Sequence, residues 1–153
     1  MKEYPILFST EMIKAILEGR KTQTRRVMKQ KDITLAGLRG IVNGTQPAFG
    51  PCPYGGVGDR LWVKRTRFTM KADTLCWLEI TGVRVERLQE ITEEDAKQEG
   101  IIFVEEETPA YSSNWHPCAI KNFALLWDSL NTKRGYPWDT NPWVWCIEFR
   151  RLT

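Results

Sequence analysis

Gly19-Arg20-Lys21-Thr22-Gln23-Thr24-Arg25-Arg26 carries two hydroxyls and four cations in one short run. Just before it, Met12, Ile13, Ile16 and Leu17 fall on one face of a predicted helix capped by Ser9 or Thr10, and Gly19 fits the position after its last turn. The chain therefore leaves a helix through a glycine and enters a β-prone segment. A cationic corner of this kind can clamp phosphate. A lysine near a threonine can also be a base beside its nucleophile.

Outward from this corner, Ile6-Leu7-Phe8 reads as a first strand. Arg60–Lys64 reads as a strand after the Gly58-Asp59 turn, and Cys76–Leu88 as a long one with a bulge at Gly82. Thr92-Glu93-Glu94-Asp95 resembles a capping box, opening a helix that stops at Gly100. Ile120, Phe123, Ala124, Trp127 and Leu130 recur at helical spacing. In the last strand Trp143, Trp145, Ile147 and Phe149 share one face, and Val144, Cys146, Glu148 and Arg150 the other. Residues 28–58 and 104–118 read as long loops, which are unusual unless they line or cover a site. Strands with short helices at the rim predict an α+β, mainly β fold: a small β-barrel or strongly curved mixed sheet.

The 153 residues fit one domain, taken as 1–153, with ordinary hydrophobic and charged fractions. Net charge is only +3, too small to argue nucleic-acid binding, but Arg20 to Lys31 holds six cations and no carboxylate. Glu86 to Glu107 is mostly acidic. The four cysteines are scattered, no signal peptide is seen at the start, and no run reaches the ~20 apolar residues needed to span a bilayer. A cytoplasmic protein with no membrane partner is expected.

His116 is the only histidine. That weighs against His-rich zinc sites and against Ser-His-Asp or Cys-His catalysis. His116-Pro117-Cys118 lacks the zinc-deaminase pattern, so neither metal nor cofactor is expected. A threonine hydroxyl needs a base, and a lysine can serve if its pKa falls from about 10.4. Burial and the nearby Arg20, Arg25 and Arg26 push that way, while a carboxylate beside Lys21 would push back. Residues three apart face opposite sides of a straight strand, so Lys21 and Thr24 converge only if the chain bends. On spacing alone, solvated or phosphate-contacting cations are the simpler reading. Trp62, Trp143 and Trp145 read as core residues, and Tyr54, Trp115 and Trp138 as candidate ligand contacts.

Ile16 to Arg26 resembles the signature of ASCH domains, relatives of the PUA RNA-binding fold: a helix ending L-x-G-x-K-T, then a strand carrying T-x-R. Val57-Gly58-Asp59-Arg60-Leu61, Leu78-Glu79-Ile80-Thr81, the helix at 92–99 and Trp145–Phe149 follow in matching order. The whole is similar to phage- and prophage-encoded ASCH proteins. Where those often read W-V-R-E-T-W after the Gly-Asp turn, this chain has Arg65 and Arg67 in place of the acid and the second tryptophan, extending its basic surface. The resemblance implies a PUA-like barrel. It also implies, by likeness to small bacterial ASCH amidohydrolases, cleavage of N4-acetylcytidine to cytidine and acetate. Carried over by motif, the catalytic residues are Lys21, Thr24 and Glu79, and Arg26 matches a basic residue that holds the ligand; Arg20, Tyr54 and Trp62 are expected beside it as further substrate contacts. The implied partner is a modified cytosine nucleoside or RNA. The alternative is a non-catalytic RNA- or modified-base-binding module, with a phage regulatory or morphogenetic role.

Overall fold

The computed structural model describes residues 1–32, 50–101 and 118–152. The predicted irregular segments fall largely outside these, as do His116 and Trp115. Five strands form one mixed sheet: β1 (Glu3–Leu7), β2 (Gln23–Val27), β3 (Arg60–Lys64), β4 (Trp77–Arg87) and β5 (Trp143–Arg151). Their order is β1-β3-β4-β5-β2, with β1 parallel to β3 and every other pair antiparallel. Helix α1 (Thr10–Leu17) links β1 to β2, while α2 (Glu93–Gln98) and α3 (Ala119–Asn131) lie between β4 and β5.

The local signals act as read. The Ser9 side chain accepts from the Met12 amide, and Thr92 and Asp95 complete a reciprocal capping box. The β4–β5 register shifts between Ile80 and Gly82, the bulge expected at that glycine. A Cβ on Gly82 would stand 2.7 Å from Glu148 Oε2, so a larger residue there requires the Glu148 carboxylate to move.

Both faces of β5 are covered. Trp145, Ile147 and Phe149 join Ile6, Leu61, Leu78 and Ile80 in one core. Val144 and Cys146 join Leu88, Phe123 and Trp127 in a second, beneath α2 and α3. Each fully buried leucine or isoleucine contributes about 1.5–3 kcal/mol relative to exposure. Among the described residues no helix is long and apolar enough to cross a membrane.

The sheet does not close into a barrel: its edges, β1 and β2, share no ladder. A side chain crosses the seam instead, where the Arg26 guanidinium donates to the Leu7 carbonyl at 2.6 Å. The open seam holds a cavity.

Candidate active site

Lys21 and Thr24 converge because the chain bends before β2 begins. Gly19 leaves α1 at φ +80°, a conformation favouring glycine, and the amides of Arg20 and Lys21 both bond to the Ala15 carbonyl. Lys21 then forms an isolated antiparallel bridge with Glu99, and the Thr22 amide donates to the Gln98 carbonyl at 2.8 Å. Lys21 thus belongs to a contact with the end of α2, whereas Thr24 belongs to the ladder with β5 opposite Ile147. Strict alternation no longer separates them. Both are buried, at 3% and 4% exposure.

They share a cavity of about 360 Å³. Its apolar wall includes Phe8, Met12, Phe123, Leu126, Trp127 and Leu130. Its charged lining is lopsided: Lys21, Arg25, Arg26, Arg65 and Arg134 against Glu99 alone, among the described residues. The Lys21 ammonium lies 5.5 Å and the Arg26 guanidinium 5.0 Å from the centre of the Phe8 ring. Aromatic surface, cations and one carboxylate suit a flat, polar, electron-rich ligand such as a nucleobase.

Lys21 Nζ donates to Glu99 Oε2 at 2.7 Å and to the Glu99 carbonyl at 3.0 Å. Burial holds the Lys21 pKa below its usual value, and the charges of Arg26 and Arg25 push the same way, against the attraction of Glu99. The Thr24 hydroxyl has no hydrogen bond among the described residues, to Lys21 or to any other group. Burial also lowers the pKa of Arg26.

Behind the cavity Glu99 belongs to a buried charge network. Arg25 donates to Glu99 Oε1 at 3.3 Å, Glu86 Oε1 at 2.5 Å and Asp95 Oδ2 at 3.3 Å, and also to Gln23. Arg84 bonds Glu148, Glu86 and Asp95 from the rim. This lattice ties α2 to β2, β4 and β5, and so fixes the orientation of Glu99. Among the described residues no three His, Cys, Asp or Glu side chains group as a metal site.

The other expected site residues divide. Arg26 lines the cavity and stands 5.9 Å from the Tyr54 ring, placing Tyr54 just behind it. Arg20 turns away, bonding Glu18 Oε2 and the Gly100 carbonyl at 2.8 Å each, and so braces the corner from outside. Trp62 sits opposite Pro5 and Trp77 with Lys64 over its ring, and Trp138 packs edge-on to Phe123; neither lines the cavity.

Glu79 is not brought to the cavity. It pairs in register with Arg60 and Arg150, and its carboxylate accepts from Arg150 Nε at 2.5 Å. Thr24 lies opposite Ile147, and Ile147 opposite Val83, four positions beyond Glu79 and so about 13 Å along β4. The carboxylate beside Lys21 is Glu99. The sequence reading missed it: a glutamate ending a helix faces the negative end of the helix dipole and favours a cation nearby, but that signal does not say which cation.

No family model matches the chain, and no curated protein matches it in sequence. Solved structures do resemble it. An ASCH domain from Lactobacillus crispatus JV V101 superposes with a TM-score of 0.51 at 15% identity, over 98% of this chain and 79% of that one. The hypothetical protein PH0355 gives 0.50 at 12% identity, over 98% of this chain and 99% of its own. At such identities the likeness concerns architecture, and that architecture agrees with the mixed sheet and rim helices described above. The chain has the PUA-like fold of an ASCH domain.

Proposed function

We propose that the seam cavity is the active site of a metal-independent amidohydrolase acting on N4-acylated cytosine nucleosides, with N4-acetylcytidine the reference substrate. The observation that carries the reading is the buried trio: Thr24 with an uncommitted hydroxyl, Lys21 with a lowered pKa, and Glu99 bonded to Lys21. Glu99 takes the carboxylate role that the family resemblance assigned to Glu79.

In this mechanism the neutral Lys21 amine takes the Thr24 proton as Thr24 Oγ bonds to the acyl carbon. The carbonyl π electrons move to oxygen, and Arg26, two residues along the same strand face, supplies positive charge for the oxyanion. The intermediate collapses by breaking the bond from carbon to N4, and N4 takes the proton held by Lys21. Water then attacks the acyl-threonine ester and gives its proton to the Lys21–Glu99 pair. The carboxylic acid leaves, and the Thr24 hydroxyl is restored by the returned proton.

One observation favours a second reading, a non-catalytic module for RNA or modified bases. Lys21 spends two hydrogen bonds on Glu99, as a buried lysine closing a helix end would. Incubation of purified protein with N4-acetylcytidine at low and high salt separates the two. The hydrolase reading expects cytidine release that changes little with salt. No release, together with salt-sensitive retention of RNA, would support the module.

A further inference from the structure

Resting on the hydrolase reading, we infer that the turn after β3 guides single-stranded RNA to the cavity mouth, so that the acylated cytosine is presented within a strand. Arg65 lines the active-site cavity and also a neighbouring groove of about 240 Å³ bounded by Thr66, Phe68, Thr69 and Asp73. The two depressions therefore adjoin at one shared cation.

From Lys64 to Ala72 the chain carries Lys64, Arg65, Arg67 and Lys71 and no carboxylate. Lys71 is paired with Glu3, and Lys64 caps the Arg67 carbonyl at 2.9 Å. Arg65 and Arg67 have no carboxylate partner among the described residues, and both are exposed. Beside them Phe68 is 75% exposed, with the Arg67 guanidinium 4.7 Å from its ring centre. The turn is built to hold this ring out in solvent. The Thr66 amide donates to Thr69 Oγ1, the Thr69 amide to the Thr66 carbonyl, each at 3.1 Å, and the Phe68 amide to Thr66 Oγ1 at 3.3 Å.

Two arginines without a carboxylate partner among the described residues, followed directly by an exposed ring, offer a single strand contacts for both its phosphates and its stacked bases. Arg65 and Arg67 would hold successive phosphates, and Phe68 would stack a flanking base through its open face. Asp73 at the groove wall can accept from an exocyclic amino group. Four cations and no carboxylate from Lys64 to Ala72 favour a polyanion over a protein partner.

The test compares wild type with the double variant Arg67→Ala, Phe68→Ala, which alters two exposed side chains outside the cavity. The probes are a short oligocytidylate RNA with one central N4-acetylcytidine, its deoxy counterpart, and free N4-acetylcytidine. The inference expects RNA affinity to fall about tenfold in the variant, and the salt slope to become shallower by roughly 0.7 for each phosphate no longer neutralised. Turnover of the free nucleoside should be unchanged. Equal RNA affinity in both proteins, or tighter binding of the deoxy strand, would overturn it. If wild type binds RNA in the expected manner but hydrolyses nothing, the surface stands and the hydrolase falls. If it hydrolyses the free nucleoside but retains no RNA, the hydrolase stands and this inference falls.

Discussion

Glu99 Oε2 lies 2.7 Å from Lys21 Nζ, joining residues 78 positions apart inside a cavity wall where both are nearly inaccessible to water. In that setting the pair's proton balance is set by two opposed forces, burial against mutual attraction.

The amine is the active form of Lys21, so the rate should rise with pH through the folded pKa of Lys21, below the ordinary value of about 10.4. Glu99 is the influence that raises this pKa. Glu99→Gln removes the negative charge, and the rising limb of the residual activity should move to lower pH. A pH–rate profile of the variant fixed in position, or displaced upward, would contradict the assignment.

Glu79 and Glu99 should behave oppositely. The pair of Glu79 with Arg150 is solvated, with the arginine side chain 67% exposed, so Glu79→Ala should cost less than about 1 kcal/mol and leave turnover intact. Glu99→Ala should lower kcat about 10²–10⁴-fold. Steady-state kinetics on both variants decides between the two carboxylates.

That contrast shows what the sequence could and could not disclose. The helix-to-strand corner, the capping box at Thr92, the bulge at Gly82 and the alternation of β5 were legible because each follows from a local rule. Glu99 and the network around Arg25 were not, since they depend on α2 docking its end against Lys21 across the fold. The second buried face of β5 was hidden for the same reason: Val144 and Cys146 acquire their apolar cover only from α2 and α3. Barrel closure was over-read. Strand content sets how many strands are available, whereas the seam between β1 and β2 stays open around the cavity.

Arg25 should be the residue on which the site's rigidity depends. Arg25→Ala strands Glu86, Asp95 and Glu99 without their shared guanidinium, and should cost about 3–5 kcal/mol in urea unfolding. Burial pushes Glu86 and Asp95 upward, but Arg25 and the other hydrogen bonds hold both below their ordinary values. A depressed carboxylate contributes stability above its unfolded pKa, about 4, and loses it as pH falls through the lower folded value. Wild-type stability should therefore drop below about pH 4, and the Arg25 variant should show a flatter acid limb. Parallel acid limbs in the two proteins would contradict this.

Gly100 should be intolerant of any side chain. It follows Glu99 at φ +89°, and a Cβ there would stand 2.9 Å from Ala15 Cβ and 3.0 Å from Lys21 Cβ. Gly100→Ala should cost about 1–3 kcal/mol of stability and displace Lys21. Thermal unfolding together with turnover checks it, and a variant with wild-type values for both would show that the corner is looser than described.

The central claim is that the Thr24 hydroxyl, served by Lys21, attacks the acyl carbon. The most direct measurement is chromatographic: cytidine released from N4-acetylcytidine by wild type, Thr24→Ala, Thr24→Ser and Lys21→Ala, each first shown to be folded. Release is expected from wild type, partial release from the serine variant, and none above background from the two alanine variants. Wild-type release that persists in Thr24→Ala would contradict it.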